Sequence, residues 1–575
     1  MRAKITTALL CVMTIFFTSC LPPTNSSSTN TSEKPEDGTK KILSQVRTVY
    51  SSADEFEQMT FAHYEDTPDI LLIDMATACD FVFDSLLSDY AKFEIEETDT
   101  TLTITRDNGA YCLFDFTEDS IFFNNFDLFR VRYSNTMSDI LMSRYVDSQG
   151  KEIYFKREDS TEIAGHPVRI DLAERDIPLD VYEGKKYIPF QTLNDLFISP
   201  YEINYLFNSQ DVFKLPSDGV LDPALEERYY SIQPAQRSEA LASYTVNELC
   251  LVLDLYYGLQ DEHGLRGGFK LYLERVGLLD ELLSTDPTTA NTALASLMVG
   301  YIADKHSDLI MASPYTGAPY IDYNNVKYDS SIMHYWECYD ALYAARETAM
   351  PDGVPGYQEI YNTAYVTFDS FTLSPDRFSD YNENSATIDD TLGLIIYAHS
   401  MINRENSPIE NVVLDLSCNS GGYIDSGVYV VAWMLGYCDL HLTNPISNCF
   451  STTNYTVDVN LDGVFDENDS IADKNLYCII SSASFSCANS VAASLKESGM
   501  VTLMGNTSGG GACAVQLMSA ADGSLFCFST SYRESTLING TYYNVDQGVQ
   551  PHVYFSKFES YFNRTSLTAY INNLK

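Results

Sequence analysis

Leu476-Tyr477-Cys478-Ile479-Ile480-Ser481-Ser482-Ala483-Ser484-Phe485-Ser486-Cys487-Ala488-Asn489 carries the chain from a short apolar run, Leu476 to Ile480, into a helix-like run, Asn489 to Glu497. A few apolar residues bounded by small polar ones read as a buried strand. A serine between such a strand and a helix has two readings. It is a favoured N-cap, because its hydroxyl accepts a hydrogen bond from the first turn of the helix. It is also a place for a nucleophile, because the first-turn N–H groups lack intrahelical partners and can meet an oxyanion formed on a substrate carbonyl.

Outward from this stretch the same alternation repeats. After the break Pro351-Asp352-Gly353-Val354-Pro355-Gly356, Tyr365 to Phe371 reads as a strand and Asp389 to Ile402 as a helix. Val412 to Leu416 then reads as a buried strand, Ser426 to Gly436 as a helix and Val501 to Met504 as a further strand. Strands alternating with helices imply an α/β core with a mostly parallel sheet, whose sites lie at the carboxyl ends of the strands. Asn419-Ser420-Gly421-Gly422 and Ser486 both fall at such ends. Residues 331–575 are therefore expected to form this α/β core.

Upstream, residues 236–330 turn helical. Leu249, Val252, Leu253 and Tyr256 recur at helical spacing, with Thr245 and Glu248 in capping-box register. Residues 46–235 read as a mixed α+β accessory domain. A helix is expected over Ala53 to Phe61, and a hairpin where Leu102 and Ile104 precede Asp107-Asn108-Gly109. Strands around Val168 to Asp171 and Lys186 to Phe190 lead into a short amphipathic helix; the region holds no recognisable chemistry.

The 575 residues carry 80 acidic against 35 basic side chains, a formal charge of -45, which argues against nucleic acid or an anionic membrane face as partner. At the N-terminus Arg2 and Lys4 precede an apolar run from Ile5 to Phe17, the length of a signal peptide. Phe17-Thr18-Ser19-Cys20 resembles the lipobox of bacterial lipoproteins. That resemblance implies a signal peptide over 1–19, lipidation of Cys20, a disordered tether over 20–45 and an extracytoplasmic protein held at the membrane by lipid. An ordinary secretory signal is the alternative. Of 13 cysteines, eleven remain once Cys11 and Cys20 are set aside, with no zinc-like pairs and no disulfide framework indicated.

Four segments in order carry a family resemblance. Ala303-Asp304-Lys305-His306-Ser307, Val413-Leu414-Asp415-Leu416-Ser417-Cys418-Asn419-Ser420-Gly421-Gly422, Ser484 to Asn489 and Asp546-Gln547-Gly548-Val549-Gln550-Pro551 resemble the motifs of the tail-specific, or C-terminal-processing, serine peptidases of family S41. The resemblance spans about 236–555. It implies a crotonase/ClpP-like βαβ core and hydrolysis of peptides or unfolded proteins through an acyl-enzyme, with no cofactor needed. Where one branch of that family has a lysine as general base, this chain has Gly511. The tricorn-core-like branch uses an upstream histidine, and His306 stands in the matching position. Carried over, Ser486 is the nucleophile, His306 the base, Asp546 the group orienting the imidazole, and the N–H groups of Cys487 and Gly421 or Gly422 the oxyanion hole. Imidazole suits the base because it titrates near neutrality. The alternative is an inactive binding protein on the same scaffold, holding a peptide, a hydrophobic ligand or a glycan at the cell envelope.

A separate signal lies in Asp458-Val459-Asn460-Leu461-Asp462-Gly463-Val464-Phe465-Asp466-Glu467-Asn468-Asp469. Oxygen-bearing residues occupy places 1, 3, 5, 9 and 12, with Gly at 6, which is the spacing of a calcium loop. Asp458, Asn460, Asp462, Asp466 and Asp469, with the Val464 carbonyl, are the expected ligands of a structural Ca2+. An acidic turn between strands is the alternative.

Overall fold

The computed structural model describes residues 40–574 apart from 133–135, 139–144, 147–148, 217–218, 233–235, 266, 322, 375–380, 382–389 and 556. The expected signal peptide, Cys20 and most of the expected tether lie outside the described residues.

The chain is α/β. Its central element is a six-stranded sheet in the order Tyr357–Ile360, Thr363–Thr367, Asn411–Asp415, Asn475–Ile480, Val501–Gly505, Val553–Tyr554. The first pair is antiparallel and the rest are parallel. Its middle strands are buried on both faces, which explains runs such as Val412-Val413-Leu414 without polar alternation. Val412 and Leu414 face the helices Thr391–Ile402, Ile424–Leu435 and Cys487–Glu497. Val413, Tyr477 and Ile479 face Leu342 of the helix Ser330–Ala349 and Leu567 and Ile571 of the helix Arg564–Asn572. The strands and helices expected for this region are present, each shifted by a few residues at its ends.

A second sheet brings distant segments together. Its strands run in the order Asp308–Met311, Leu525–Ile538, Cys438–Asn444, Cys449–Val457, Phe155–Ile163. Asp308 pairs with Cys527. The His306 segment is thereby laid beside residues some 220 places later in sequence, which no local pattern could foretell.

Two more sheets, with antiparallel pairing apart from one parallel contact, build the N-terminal part. One joins Ile42–Tyr50 to Phe56–Tyr64, Thr67–Asp74 and Val212–Leu215; the other joins Thr101–Arg106 to Phe93–Glu97 and Tyr111–Asp115. Phe61, Ile104, Phe123 and Leu196 share one hydrophobic cluster with Leu249, Leu253 and Leu294 of the helical segment. The helices of 236–330 thus pack into the N-terminal core. Strand Ile42–Tyr50 begins inside the segment expected as tether.

Two local expectations are corrected. The residues expected as a helix over Ala53 to Phe61 belong to the turn and strand of Phe56–Tyr64, paired with Ile42–Tyr50. Cross-strand burial of Phe61 and Ala62 outweighs the helical spacing there. Thr245 and Glu248 do not cap a helix. The helix Glu239–Tyr256 starts at Ser238, whose Oγ accepts the Leu241 N–H at 3.0 Å. Thr245 Oγ1 donates to the Leu241 carbonyl at 2.7 Å, and the Glu248 carboxylate accepts from the Thr192 hydroxyl. Among the described residues no helix is long and apolar enough to cross a membrane, and all eleven cysteines are free thiols.

Candidate active site

Ser486 sits where the Asn475–Ile480 strand turns into the Cys487–Glu497 helix. Its backbone is held at φ 56° and ψ -126°, a conformation that L residues rarely adopt. Three hydrogen bonds hold it there: the Phe485 N–H donates to the Asn419 carbonyl, the Ser486 N–H to the Gly510 carbonyl, and the Gly509 N–H to the Ser484 carbonyl. The Ser486 side chain does not cap the helix it precedes. The N-cap alternative for this serine is therefore not realised, and its hydroxyl is left for other use. Ser484 differs entirely: its Oγ accepts the Ser481 N–H at 2.8 Å and donates to the Leu416 carbonyl at 2.7 Å, fully buried.

The glycines face Ser486 at the end of the neighbouring strand. A Cβ on Gly421, which has φ 105°, would lie 2.6 Å from Ser486 Cβ and 3.1 Å from its Oγ. A Cβ on Gly422 would lie 2.1 Å from the Phe371 carbonyl oxygen. Only glycine allows this approach. The two N–H groups differ in availability. That of Gly421 donates to Asn419 Oδ1 at 2.9 Å, whereas the bonds around the loop leave the Gly422 N–H without an accounted acceptor. The Cys487 N–H, first in the helix, has no intrahelical acceptor. Gly422 and Cys487 are thus the donors free to meet an oxyanion.

His306 is 4% exposed and packs on the ring of Phe485, with centroids 4.6 Å apart. Nδ1 lies 3.2 Å from Ser529 Oγ, and the buried Nε2 has no hydrogen-bond partner. His306 and Ser486, one residue beyond Phe485, are not hydrogen-bonded to each other in this conformation. Burial lowers the imidazole to about 4, against the pull of Asp304, with Lys305 lowering it further. The ring is neutral near pH 7. With its proton on Nδ1, Nε2 is a bare acceptor.

The carboxylate beside His306 is Asp304, not Asp546. Asp304 Oδ1 accepts the main-chain N–H of His306 at 3.1 Å, and its Oδ2 accepts from Ser307 Oγ at 2.8 Å and from the main-chain N–H of Ser529 at 3.1 Å. Asp546 Oδ1 instead accepts the Ala512 N–H at 3.0 Å, and its carbonyl accepts the Gly511 N–H. Burial, with Asp304 next in effect, pushes the Asp546 carboxyl up to about 6. Sequence reasoning missed Asp304 and Ser529 as companions of His306. Asp304 was within the quoted motif, two residues away, where an aspartate naturally caps its own turn. Ser529 gave no signal.

Gly511 occupies the place where a relative would carry lysine. A Cβ there would lie 2.3 Å from the Phe485 ring, at φ 81°. The lysine in the neighbourhood is Lys305, whose Nζ donates to the Gly509 carbonyl and lies 5.4 Å from the centre of the Phe485 ring. Burial lowers this amine.

A cleft opens beside Ser486, lined by Gly422, Cys487, Ser490, Tyr532 and Glu534. Burial pushes Glu534 up to about 7, opposed only by the Ser490 hydroxyl. Cys487 is no rival nucleophile: its thiol, fully buried, is raised well above its usual range and points to the Tyr423 carbonyl. No residue of the acidic loop, 458–469, lines this cleft. Among the described residues no three His, Cys, Asp or Glu side chains close on one point as metal ligands.

The sequence model of Peptidase family S41 matches residues 362–555. That stretch, about a third of the chain, is similar to the family's model and includes all but the first strand of the central sheet, the glycine loop and Ser486. No curated protein matches the chain. Among solved structures, the photosystem II D1 C-terminal processing protease aligns at 19% identity over 34% of this chain and 42% of its own, with a TM-score of 0.26. The chain spans less than half of that relative. A lipoprotein from Streptococcus agalactiae aligns at 14% identity over 60% of this chain and 98% of its own, with a TM-score of 0.36. Mature CPAF aligns at 11% identity over 58% and 98%, with a TM-score of 0.37.

Proposed function

We propose that the protein is a serine endopeptidase that cleaves peptides or unfolded proteins through an acyl-enzyme on Ser486. The observation that carries this reading is the Ser486 hydroxyl. The backbone holds it at a strained elbow, it caps nothing, and Ser486 lines one cleft with Gly422 and Cys487, whose N–H groups are free. Strain of a few kcal/mol at one residue persists only where the surroundings enforce it, and a strand-to-helix serine elbow is a known way to present a nucleophile.

In the proposed reaction Ser486 Oγ attacks the scissile carbonyl and His306 Nε2 takes its proton. The oxyanion is met by the N–H groups of Cys487 and Gly422. The imidazolium returns the proton to the leaving amine, and water releases the acyl group by the same route. Ser486 and His306 must close to hydrogen-bond distance once substrate excludes water. Such bonds are often loose in the free enzyme and tighten in the complex. We further propose that Cys20 is lipidated and that the enzyme works outside the cytoplasm on a membrane tether, for which the support is the N-terminal sequence.

A fluorophosphonate probe should label the full-length protein at one serine, identified by peptide mass as Ser486. Labelling and hydrolysis of unfolded casein should both disappear in Ser486→Ala and His306→Ala. Hydrolysis that survives in Ser486→Ala overturns the mechanism. An unlabelled wild type that retains a peptide on purification favours the binding-protein alternative, which the unjoined Ser486 and His306 of the free protein keep open.

A further inference from the structure

The loop from Asp458 to Asp469 plays no part in the chemistry above, yet it is built around a buried carboxylate. Asp458 is 5% exposed. Its Oδ2 accepts the Gly463 N–H at 2.9 Å, which aims the carboxylate into the loop, while Oδ1 is wholly buried with no hydrogen-bond partner. A buried carboxylate oxygen left unpaired costs several kcal/mol unless a cation or a proton meets it. At the other end of the loop Asp469, 3% exposed, is held inward: Oδ1 accepts the N–H groups of Val459 and Asn460, and Oδ2 that of Asp466. Asp462 and Asp466 stand exposed at the rim, each turned to a neighbouring N–H. Lys151 Nζ donates to the Gly463 carbonyl at 2.9 Å.

We infer that this loop is a calcium site, with Asp458, Asn460, Asp462, the Val464 carbonyl and Asp469 as ligands and Asp466 contributing directly or through water. Hard oxygen donors only, mostly anionic and spaced around a glycine of positive φ, suit Ca2+ over Zn2+ and over the smaller, octahedral Mg2+. Two ligands are already buried in place. The rim carboxylates, exposed and bonded only to their own turns, swing inward by side-chain rotation. Fewer than three carboxylates converge in the present conformation because Asp462 and Asp466 face outward.

The loop's position says what the ion does. The Asp458 N–H donates to the Tyr154 carbonyl, the Asp458 carbonyl accepts from Tyr429 of the helix Ile424–Leu435 at 3.1 Å, and the Ile471 N–H donates to the Trp433 carbonyl. Filling the site ties the Cys449–Val457 strand to the helix that follows Gly421-Gly422 and to the strand that leads to Ser486. The ion is a staple of the core and no participant in the reaction, so binding is independent of whether Ser486 is a nucleophile.

The test is calorimetric titration of the EGTA-treated full-length protein with CaCl2 and with MgCl2, together with thermal unfolding at 0 and 5 mM CaCl2. One Ca2+ per chain should bind, at least tenfold tighter than Mg2+, and the unfolding midpoint should rise by several degrees. Asp462→Ala and Asp466→Ala, at exposed positions, should keep the circular dichroism spectrum while binding falls at least tenfold. No heat and no shift at 5 mM CaCl2 overturns the site. So does calcium binding that is unchanged in the Asp462→Ala/Asp466→Ala double variant, since the ion then sits elsewhere on this acidic chain.

Discussion

Two clusters of polar groups meet at the cleft, and the fold treats them oppositely. Around Asp546 and the glycine turn the polar groups are paired: Asp546 Oδ1 with the Ala512 N–H, the Asp546 carbonyl with the Gly511 N–H, Lys305 with the Gly509 carbonyl. Around Ser486 the atoms that matter are idle. The Ser486 hydroxyl caps nothing, His306 Nε2 has no partner, and the Cys487 N–H is a first-turn orphan. Burying an unpaired polar group costs roughly 1–3 kcal/mol, so such atoms persist where something other than stability selects them. The contrast separates the groups that hold the site from the groups that act in it. Substitutions should divide the same way.

The largest effect belongs to Ser486→Ala. The hydroxyl makes no stabilising bond, so the unfolding midpoint should change by no more than a degree or two. The kcat/KM for a peptide should fall by at least about 1,000-fold, which is about 4 kcal/mol of transition-state stabilisation. A comparable loss of stability would place Ser486 with the structural cluster. Next is His306→Ala, with a similar loss of activity and a pH signature in the wild type. A base held near 4 is neutral through the physiological range, so the acid limb of kcat/KM should fall between about pH 5 and 4 and not near 6.5. The linkage has the matching sign. The unfolded chain takes up this proton from about 6.5 downward and the folded chain only near 4, so stability is lost as pH falls through that window. An acid limb centred at 6.5 would mean that His306 is not the base.

Third, Gly511→Lys in the His306→Ala background tests whether the missing lysine could ever serve. Any side chain at 511 starts 2.3 Å from the Phe485 ring, which is itself packed on His306. The substitution should restore no activity and should cost about 1–3 kcal/mol of stability through strain at positive φ and overpacking. Recovered hydrolysis would show the turn to be more compliant than its contacts suggest.

Why the sequence disclosed one cluster better than the other follows from the range of each signal. The parallel strands were legible because Val412-Val413-Leu414 and Leu476 to Ile480 are buried on both faces and so lack any polar residue. Ser486 was legible from its junction. The company of His306 was not, since Ser529 reaches it only through the pairing of Asp308–Met311 with Leu525–Ile538, across some 220 residues. Asp304 was missed for a different reason: family position pointed to Asp546, while a two-residue turn brings the Asp304 carboxylate to the main-chain N–H of His306. Misread spots such as Ala53 to Phe61 and Thr245 with Glu248 are places where cross-strand burial and a distant Thr192 hydroxyl decide the outcome.

A fourth substitution weighs those two aspartates. Asp546→Asn keeps an oxygen for the Ala512 N–H, so kcat/KM should stay within about tenfold of wild type. Asp304 acts through the main chain of His306 and Ser529 and bonds to neither ring nitrogen, so Asp304→Asn should cost less than the roughly 10,000-fold lost when a carboxylate bonded directly to the imidazole is amidated. A loss of that size in Asp546→Asn, with Asp304→Asn mild, would reverse the assignment made from the hydrogen bonds.

The smallest effect concerns Glu534, a carboxyl in the cleft that belongs to neither cluster. Burial holds it near 7, against about 4.5 for an exposed glutamate. Between those values the folded protein binds a proton that the unfolded chain has lost, so stability falls as pH rises from 4.5 to 7 and stays reduced above. The full penalty is at most about 3 kcal/mol, and less in proportion to the water that reaches the cleft. Glu534→Gln keeps the shape and removes the charge. Its unfolding midpoint should match wild type at pH 4, where both side chains are neutral, and exceed it by a few degrees at pH 8.5. An equal shift at both pH values would show that packing, and not ionisation, separates the two proteins.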